Sequence, residues 1–371
     1  MPNPDTPKPD TPHPDVATTG PRPGGRAQTG TRRGFRVSPA RPLAMLGNCP
    51  AYAATPLGEN PTLSALGHAR VLVKDETARM RLGSFKALGG TYAIAQMIAD
   101  ASGDSDLMSD TARAAAAQMT FITASAGNHG LSVAAGARIL GAHAVIVLDS
   151  TVPAGFATRI AAMGAEVLRV PGGYEDAVAH AMTTADAQGW LLLADGSWPG
   201  YLDRPALIME GYTVLAEECR QQFATTGDWP SHVFLQAGVG GLAAAVAGHI
   251  RALWDVQPVI TVVEPDRAPC LRISVAAGRP VTATGARSNM GRLDCKDASL
   301  LAFDALRHDA DHFVTITDAQ ADAAVTQFAR AGLQTTPSGA ASLAGMLAAD
   351  LPADLPAGAI ALVIATEGTG G

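Results

Sequence analysis

Cysteine is scarce in this chain and badly spaced for metal or redox chemistry. Cys49, Cys219, Cys270 and Cys295 are the four among 371 residues, none in a Cys-x-x-Cys pattern. That spacing excludes a zinc ribbon, a dithiol motif and a disulfide framework, although a Cys270–Cys295 pair stays open. Charge is sparse too. Only 16% of residues are charged, the net charge is −7, and no basic patch lies beyond the N-terminal arm, so no nucleic-acid partner is expected. No apolar run approaches the roughly eighteen residues of a membrane helix, and no apolar signal core opens the chain. The expectation is a cytoplasmic protein with no membrane partner.

What is present is enough hydrophobic residue, 47% of the chain, for one large or two ordinary domains. Residues 1–40 stand apart. Pro2, Pro4, Pro7, Pro9, Pro12 and Pro14 recur there with almost no large apolar side chains, a composition that predicts a disordered arm. Asp5, Asp10 and Asp15 argue against a transit peptide.

From residue 69 onward, short β-branched runs alternate with Ala-rich stretches of helical length. This is the pattern of an α/β fold with parallel sheets. Strands are predicted at 70–74, 119–124, 143–148, 165–170, 190–194, 232–237, 259–264 and 359–365, several apolar throughout as strands covered on both faces should be. Helices are predicted at 85–101, 129–140, 154–163, 174–187, 205–222, 242–253, 318–331 and 339–349. Residues 278–310 read as irregular, and a long irregular stretch inside such a domain points to function.

Three segments carry the chemistry. The first runs off a strand into a helix through Gly83-Ser84-Phe85-Lys86-Ala87-Leu88. An amine set between Phe85 and Leu88 near a helix N-terminus is expected to have its pKa lowered by desolvation and by the dipole, which would make it a nucleophile and base; a solvated helix lysine is the plainer alternative. The second, Ser125-Ala126-Gly127-Asn128-His129-Gly130, joins a strand to a helix, so its N–H groups suit a carboxylate. The third, Gly238-Val239-Gly240-Gly241-Leu242, repeats that arrangement with glycines that let backbone approach a phosphate. It misses the Gly-x-Gly-x-x-Gly dinucleotide spacing, and close packing without ligand would explain it equally.

Taken in order, and closed by Pro337-Ser338-Gly339 and Thr366-Glu367-Gly368, these segments resemble the fold-type II pyridoxal-phosphate enzymes of the threonine dehydratase and tryptophan synthase β family. Within it they look most like diaminopropionate ammonia-lyases. The resemblance covers about residues 45–371. It implies two parallel-sheet α/β domains with pyridoxal 5'-phosphate in the cleft between: a small one over 104–190, and a large one over 41–103 and 191–371. Lys86 would form the Schiff base beside Phe85. Gly238, Val239, Gly240, Gly241 and Leu242 would hold the phosphate, Asn128 would bond the pyridine 3-oxygen, and Ser338 or Thr366 would face the ring nitrogen. Ser125, Ala126, Gly127, Asn128 and His129 would bind the substrate carboxylate.

The implied reaction is β-elimination from a small L-amino acid such as 2,3-diaminopropionate, giving a 2-oxo acid and ammonia, with Lys86 and Asp195 as the catalytic pair. Asp195 reads alternatively as a cap or turn residue. A dehydratase of threonine, serine or hydroxyaspartate, a β-replacement synthase, a racemase or an idle binding protein remain as alternatives, and a homodimer is usual among such enzymes. Departures from the ammonia-lyase pattern are Arg292, Asp294 and Lys296 at small positions; if they face the cleft, the substrate differs from diaminopropionate and Arg292 would bind it by forking onto a second carboxylate or a phosphate, and if they face solvent they carry no role. Cys270 replaces a carboxylate of the metal-dependent relatives, so no metal is expected at Glu264.

Overall fold

The computed structural model describes residues 34–66, 69–348 and 355–370. The expectation of disorder covers residues 1–40, of which 1–33 lie outside the described residues. Phe35 and Pro39 are buried, and the helix Ala40–Leu46 follows.

The strands, in chain order, are β1 (Leu57–Glu59), β2 (Arg70–Asp75), β3 (Thr120–Ala124), β4 (His143–Asp149), β5 (Glu166–Val170), β6 (Leu191–Leu192), β7 (His232–Gln236), β8 (Val259–Pro265), β9 (His312–Ile316) and β10 (Ile360–Ala365). They form a six-stranded sheet, β1-β2-β10-β7-β8-β9, and a four-stranded sheet, β5-β4-β3-β6. All pairings are parallel except β1 with β2. The α/β class with parallel sheets expected from the sequence is the fold observed.

Strand alternation sorts side chains into layers, because successive residues point to opposite faces. On β2 and β10, Leu72, Leu362 and Ile364 join the main core, while Val71, Val73, Ala361 and Val363 join a second core on the other face. On β4, Ile146 and Leu148 point into the main core, and Val145 and Val147 into a third, outer one. The main core therefore lies between the two sheets. It is filled by the helices Lys86–Ser102, Asn128–Leu140, Asp203–Thr226 and Gly241–Leu253. Glycine brings two of these helices close. A Cβ on Gly211 would stand 2.7 Å from the Leu88 carbonyl oxygen, and one on Gly89 would stand 2.7 Å from that of Ile208.

The sequence reading missed β1 and β9, and also the helices Ala40–Leu46, Pro61–Ser64, Asp110–Ala116, Cys270–Ala277 and Leu300–Asp309. The stretch 278–310 is thus irregular only as far as residue 299.

Candidate active site

Lys86 is the first residue of its helix, and Phe85 before it offers no side-chain cap. The approach is held from below by buried charge. Arg79, fully buried, donates to Glu76, to Glu218, to the Ala53 carbonyl and to the Thr55 hydroxyl. Lys74 adds a 2.6 Å bond to Glu218. Breaking such a network would leave an uncompensated buried charge, so it can hold Met80 and Arg81 in the left-handed region at φ 48° and 60°, a conformation non-glycine residues rarely adopt. The chain then pairs with the end of β10: Phe85 N–H donates to the Thr366 carbonyl, and Ser84 bridges Glu367.

The Lys86 ammonium donates to Asp195, which stands just beyond β6. It also lies 5.2 Å from the Phe85 ring centroid and 5.7 Å from that of Tyr212. Burial works against its charge, but the Asp195 carboxylate outweighs burial and holds the lysine above its ordinary pKa. This corrects the expectation of a lowered pKa, which took account of desolvation and dipole but not of a carboxylate 109 residues away. For Asp195 burial acts upward, and Lys86 overrides it to hold the carboxyl well below its usual range. Asp195 is therefore an ion-pair partner of Lys86, and it stands in the bend that follows β6.

The second turn lies between β3 and the helix Asn128–Leu140, whose N-cap is Gly127 with no side-chain bond. Asn128 donates from Nδ2 to Glu367, and its buried Oδ1 has no partner. His129 bonds the Leu193 carbonyl at 2.7 Å through Nε2, and burial lowers its pKa. Its ring tethers the segment before Asp195, so it is the backbone of His129 that belongs to the turn. Ser125 accepts from Gly127 N–H, and Ala126 is half-buried beside them.

The third turn, after β7, again starts a helix without a side-chain cap. Gly240 has φ 99°, and Gly241 would place a Cβ 3.8 Å from the Asp195 carbonyl oxygen. That puts the turn beside the Lys86–Asp195 pair. Val239 accepts from Ser299 N–H, and Leu242 is buried. The Thr366 hydroxyl accepts from Gln236 and that of Ser338 from Arg292 N–H, so each retains its own proton to donate.

Arg292 faces these turns: a Cβ on Gly127 would stand 3.1 Å from its Nε. Asp294 and Lys296 pair with each other at 2.6 Å, and Lys296 also reaches the carbonyls of Arg267 and Ala286. They tie the 286–296 loop together. Both carboxylate oxygens of Glu264 accept 2.8 Å bonds from the N–H groups of Leu271 and Arg272. All four cysteines are free thiols.

Three residues of the neighbourhood escaped the sequence reading. Glu367 accepts from Asn128 and Thr336 and lies 3.7 Å from Arg292. Cys295 sits against Gly238, its thiol pushed up to about 11 by burial with Asp195 adding. Tyr174 opens the helix Tyr174–Gln188 and is largely exposed, with Asp195 the carboxylate that acts on its hydroxyl. Glu367 had a signal, a carboxylate directly after an apolar strand; the other two had none. A separate hollow of about 450 Å³, lined by Phe35, Arg41, Asp203 and Glu210 among others, contains none of these groups.

The pattern of the family described as pyridoxal-phosphate dependent enzyme matches residues 49–367. Diaminopropionate ammonia-lyase of Escherichia coli (strain K12) is 37% identical over 276 residues, spanning 73% of this chain and 69% of that protein. A probable D-serine dehydratase of Burkholderia pseudomallei (strain K96243) is 30% identical over 330 residues, spanning 82% and 72%. The crystal structure of the Escherichia coli ammonia-lyase in complex with D-serine superposes with a TM-score of 0.80 at 30% identity, over 93% of this chain and 91% of that one.

Proposed function

This chain belongs to the pyridoxal-phosphate dependent enzymes, and we propose that it eliminates the β-substituent of a small L-amino acid such as 2,3-diaminopropionate, giving a 2-oxo acid and ammonia. It is a lyase with pyridoxal 5'-phosphate as cofactor. Two features support the fit of that group: a glycine turn whose helix N-terminus has no side-chain cap, suited to a phosphate, and the unpartnered, buried Asn128 Oδ1. Gly238, Val239, Gly240, Gly241 and Leu242 would hold the phosphate, Lys86 the aldehyde carbon, Phe85 and Asn128 the ring, and Ser338 or Thr366 the ring nitrogen. When bound, the cofactor supplies an electron sink that acidifies the substrate Cα–H.

The protein's own groups do the rest. The turn from Ser125 through Ala126, Gly127 and Asn128 to His129 presents N–H groups to the α-carboxylate. Lys86, once its amine is uncharged, takes the Cα proton, and the ammonium so formed relays that proton through the ionised carboxylate of Asp195, its hydrogen-bonded partner, to the departing β-group. Ser338 or Thr366 would offer the ring nitrogen a neutral hydroxyl, a hydrogen-bond donor that does not protonate it, which would favour loss of the β-group. One water is taken up as the enamine product hydrolyses to 2-oxo acid and ammonia.

The observation that carries this reading is the Lys86–Asp195 pair set beside two uncapped helix N-termini. Its test is release of ammonia and 2-oxo acid from a panel of amino acids with β-leaving groups. A second reading, dehydration of a hydroxy-amino acid (threonine, serine or hydroxyaspartate), draws support from the relative named as a probable D-serine dehydratase; serine turnover without diaminopropionate turnover would select it. We further take residues 104–190 as a small domain closing on the remainder, and the protein as a cytoplasmic homodimer, to be checked by cell fractionation and sedimentation.

A further inference from the structure

We propose that the Tyr212 hydroxyl is a positioning group for Lys86, accepting one N–H of the uncharged amine so that its lone pair is turned to the substrate Cα; this rests on the β-elimination reading above. Tyr212 lies on the helix Asp203–Thr226 and is 1% exposed. Its ring meets that of Phe85 edge to face, centroids 5.0 Å apart, and the Lys86 ammonium stands 5.7 Å from its centre. The ring edge that carries the hydroxyl is wedged between two helices of the site. A Cβ on Gly89, in the helix that Lys86 opens, would stand 2.4 Å from Cε1, and one on Gly241, where the third turn enters its helix, 3.8 Å from Cε2. The hydroxyl carbon lies between those two ring atoms, so the phenol head is set where the first turns of both helices approach each other.

This hydroxyl is buried and has no hydrogen-bond partner among the described residues. A phenylalanine would fill the same space without leaving a polar group unsatisfied. Burial pushes the phenol up to about 12, so it is neutral at pH 7, and the Lys86 ammonium acts on it in the opposite sense. The two groups lie within each other's field without closing a hydrogen bond of ordinary geometry.

The chemistry of the amine supplies the role. An uncharged lysine has two N–H donors and one lone pair, and Asp195 accepts from one N–H. With a single acceptor, the second N–H and the lone pair can exchange places. A second acceptor fixes which of them faces the substrate. Tyr212 is that acceptor, and the ammonium formed as the Cα proton arrives keeps both bonds.

Tyr212→Phe removes the hydroxyl and keeps the ring. In the holoenzyme, with the best substrate of the β-leaving-group panel, kcat should fall about tenfold or more with KM nearly unchanged, because Lys86 acts in the chemical step. The isotope effect from deuterium at Cα should grow as proton abstraction slows. The thermal midpoint should hold or rise, since only an unsatisfied group is lost.

A second readout needs no cofactor. A hydroxyl that accepts from the ammonium favours the charged amine, so in cofactor-free Tyr212→Phe the pH midpoint for acylation of Lys86 should move down by about one unit. Asp195, Cys295, His129 and Tyr174, the other titratable groups whose charge couples to Lys86, are the same in both proteins, so the difference reports the hydroxyl. An unchanged kcat or an unchanged acylation midpoint overturns the proposal. So does a lower thermal midpoint, which would give the hydroxyl a structural partner. No 2-oxo acid from the native protein with any amino acid of the panel sinks the β-elimination reading, while the acylation midpoint still decides whether Tyr212 holds Lys86.

Discussion

At the residue scale, the site depends on which groups flank the substrate Cα. Lys86 and Asp195 form one pair, and Ala126 stands in the Ser125–His129 turn. An alanine methyl takes no proton, so only the lysine side of the substrate can be deprotonated. The enzyme is therefore expected to consume L-amino acids and to leave D-isomers untouched. Incubating each enantiomer separately in deuterium oxide checks this, and loss of a D-isomer at a rate comparable to its L-partner would refute it.

Asp195 gives a second prediction at this scale. Its carboxylate holds the Lys86 pKa up against burial; in Asp195→Asn that opposing charge is gone, and the lysine pKa falls from its raised value. Acylation of Lys86 in the cofactor-free protein, followed by mass spectrometry, should then proceed at lower pH than in the native protein. Loss of the proton relay should also lower kcat about 100-fold or more. An unchanged acylation profile would show that the pair does not exist in solution.

At the element scale, Glu264 caps the helix Cys270–Ala277 from the end of β8. Burial raises its pKa to about 7, from a model-peptide value of 4.5, despite the two N–H bonds that favour the anion. A raised folded pKa means that the stabilising contribution is complete below pH 4.5 and is lost as pH rises through 7. The amount is up to about 3 kcal/mol. Denaturant midpoints of the native protein relative to Glu264→Gln should thus decline between pH 4.5 and 7 and level off above; parallel curves would mean that Glu264 does not titrate in this range.

Elements also show what the sequence could reveal. Eight strands were legible because buried parallel strands are continuous apolar runs. β1 escaped because three residues at an antiparallel edge make no pattern. β9, His312-Phe313-Val314-Thr315-Ile316, was hidden behind an apparently featureless stretch that in fact ends in the helix Leu300–Asp309. Within the site, the glycine turns and Lys86 were readable from local chemistry. The sign of the Lys86 shift was not, since it depends on a carboxylate brought up from the end of β6. Nor was the divergence of neighbours: the Arg292 side chain lies against Gly127 and Glu367, while Asp294 and Lys296 tie the loop to itself.

At the scale of the whole molecule, the two sheets sandwich a shared helical core, and the strand ends converge on one cleft. β3 delivers the Ser125–His129 turn, β7 the glycine turn, β10 the Thr366–Glu367 end, and the chain after β2 delivers Lys86 across the buried Arg79 network. Each turn alone is weak evidence of a ligand, whereas their convergence on one amine specifies a cofactor aldehyde. Borohydride reduction of the purified protein, followed by peptide mass mapping, tests that claim most directly. The account predicts a yellow protein that loses its colour on reduction and carries one phosphopyridoxyl group on Lys86. A colourless protein with no bound cofactor, or a label on another lysine, would contradict it.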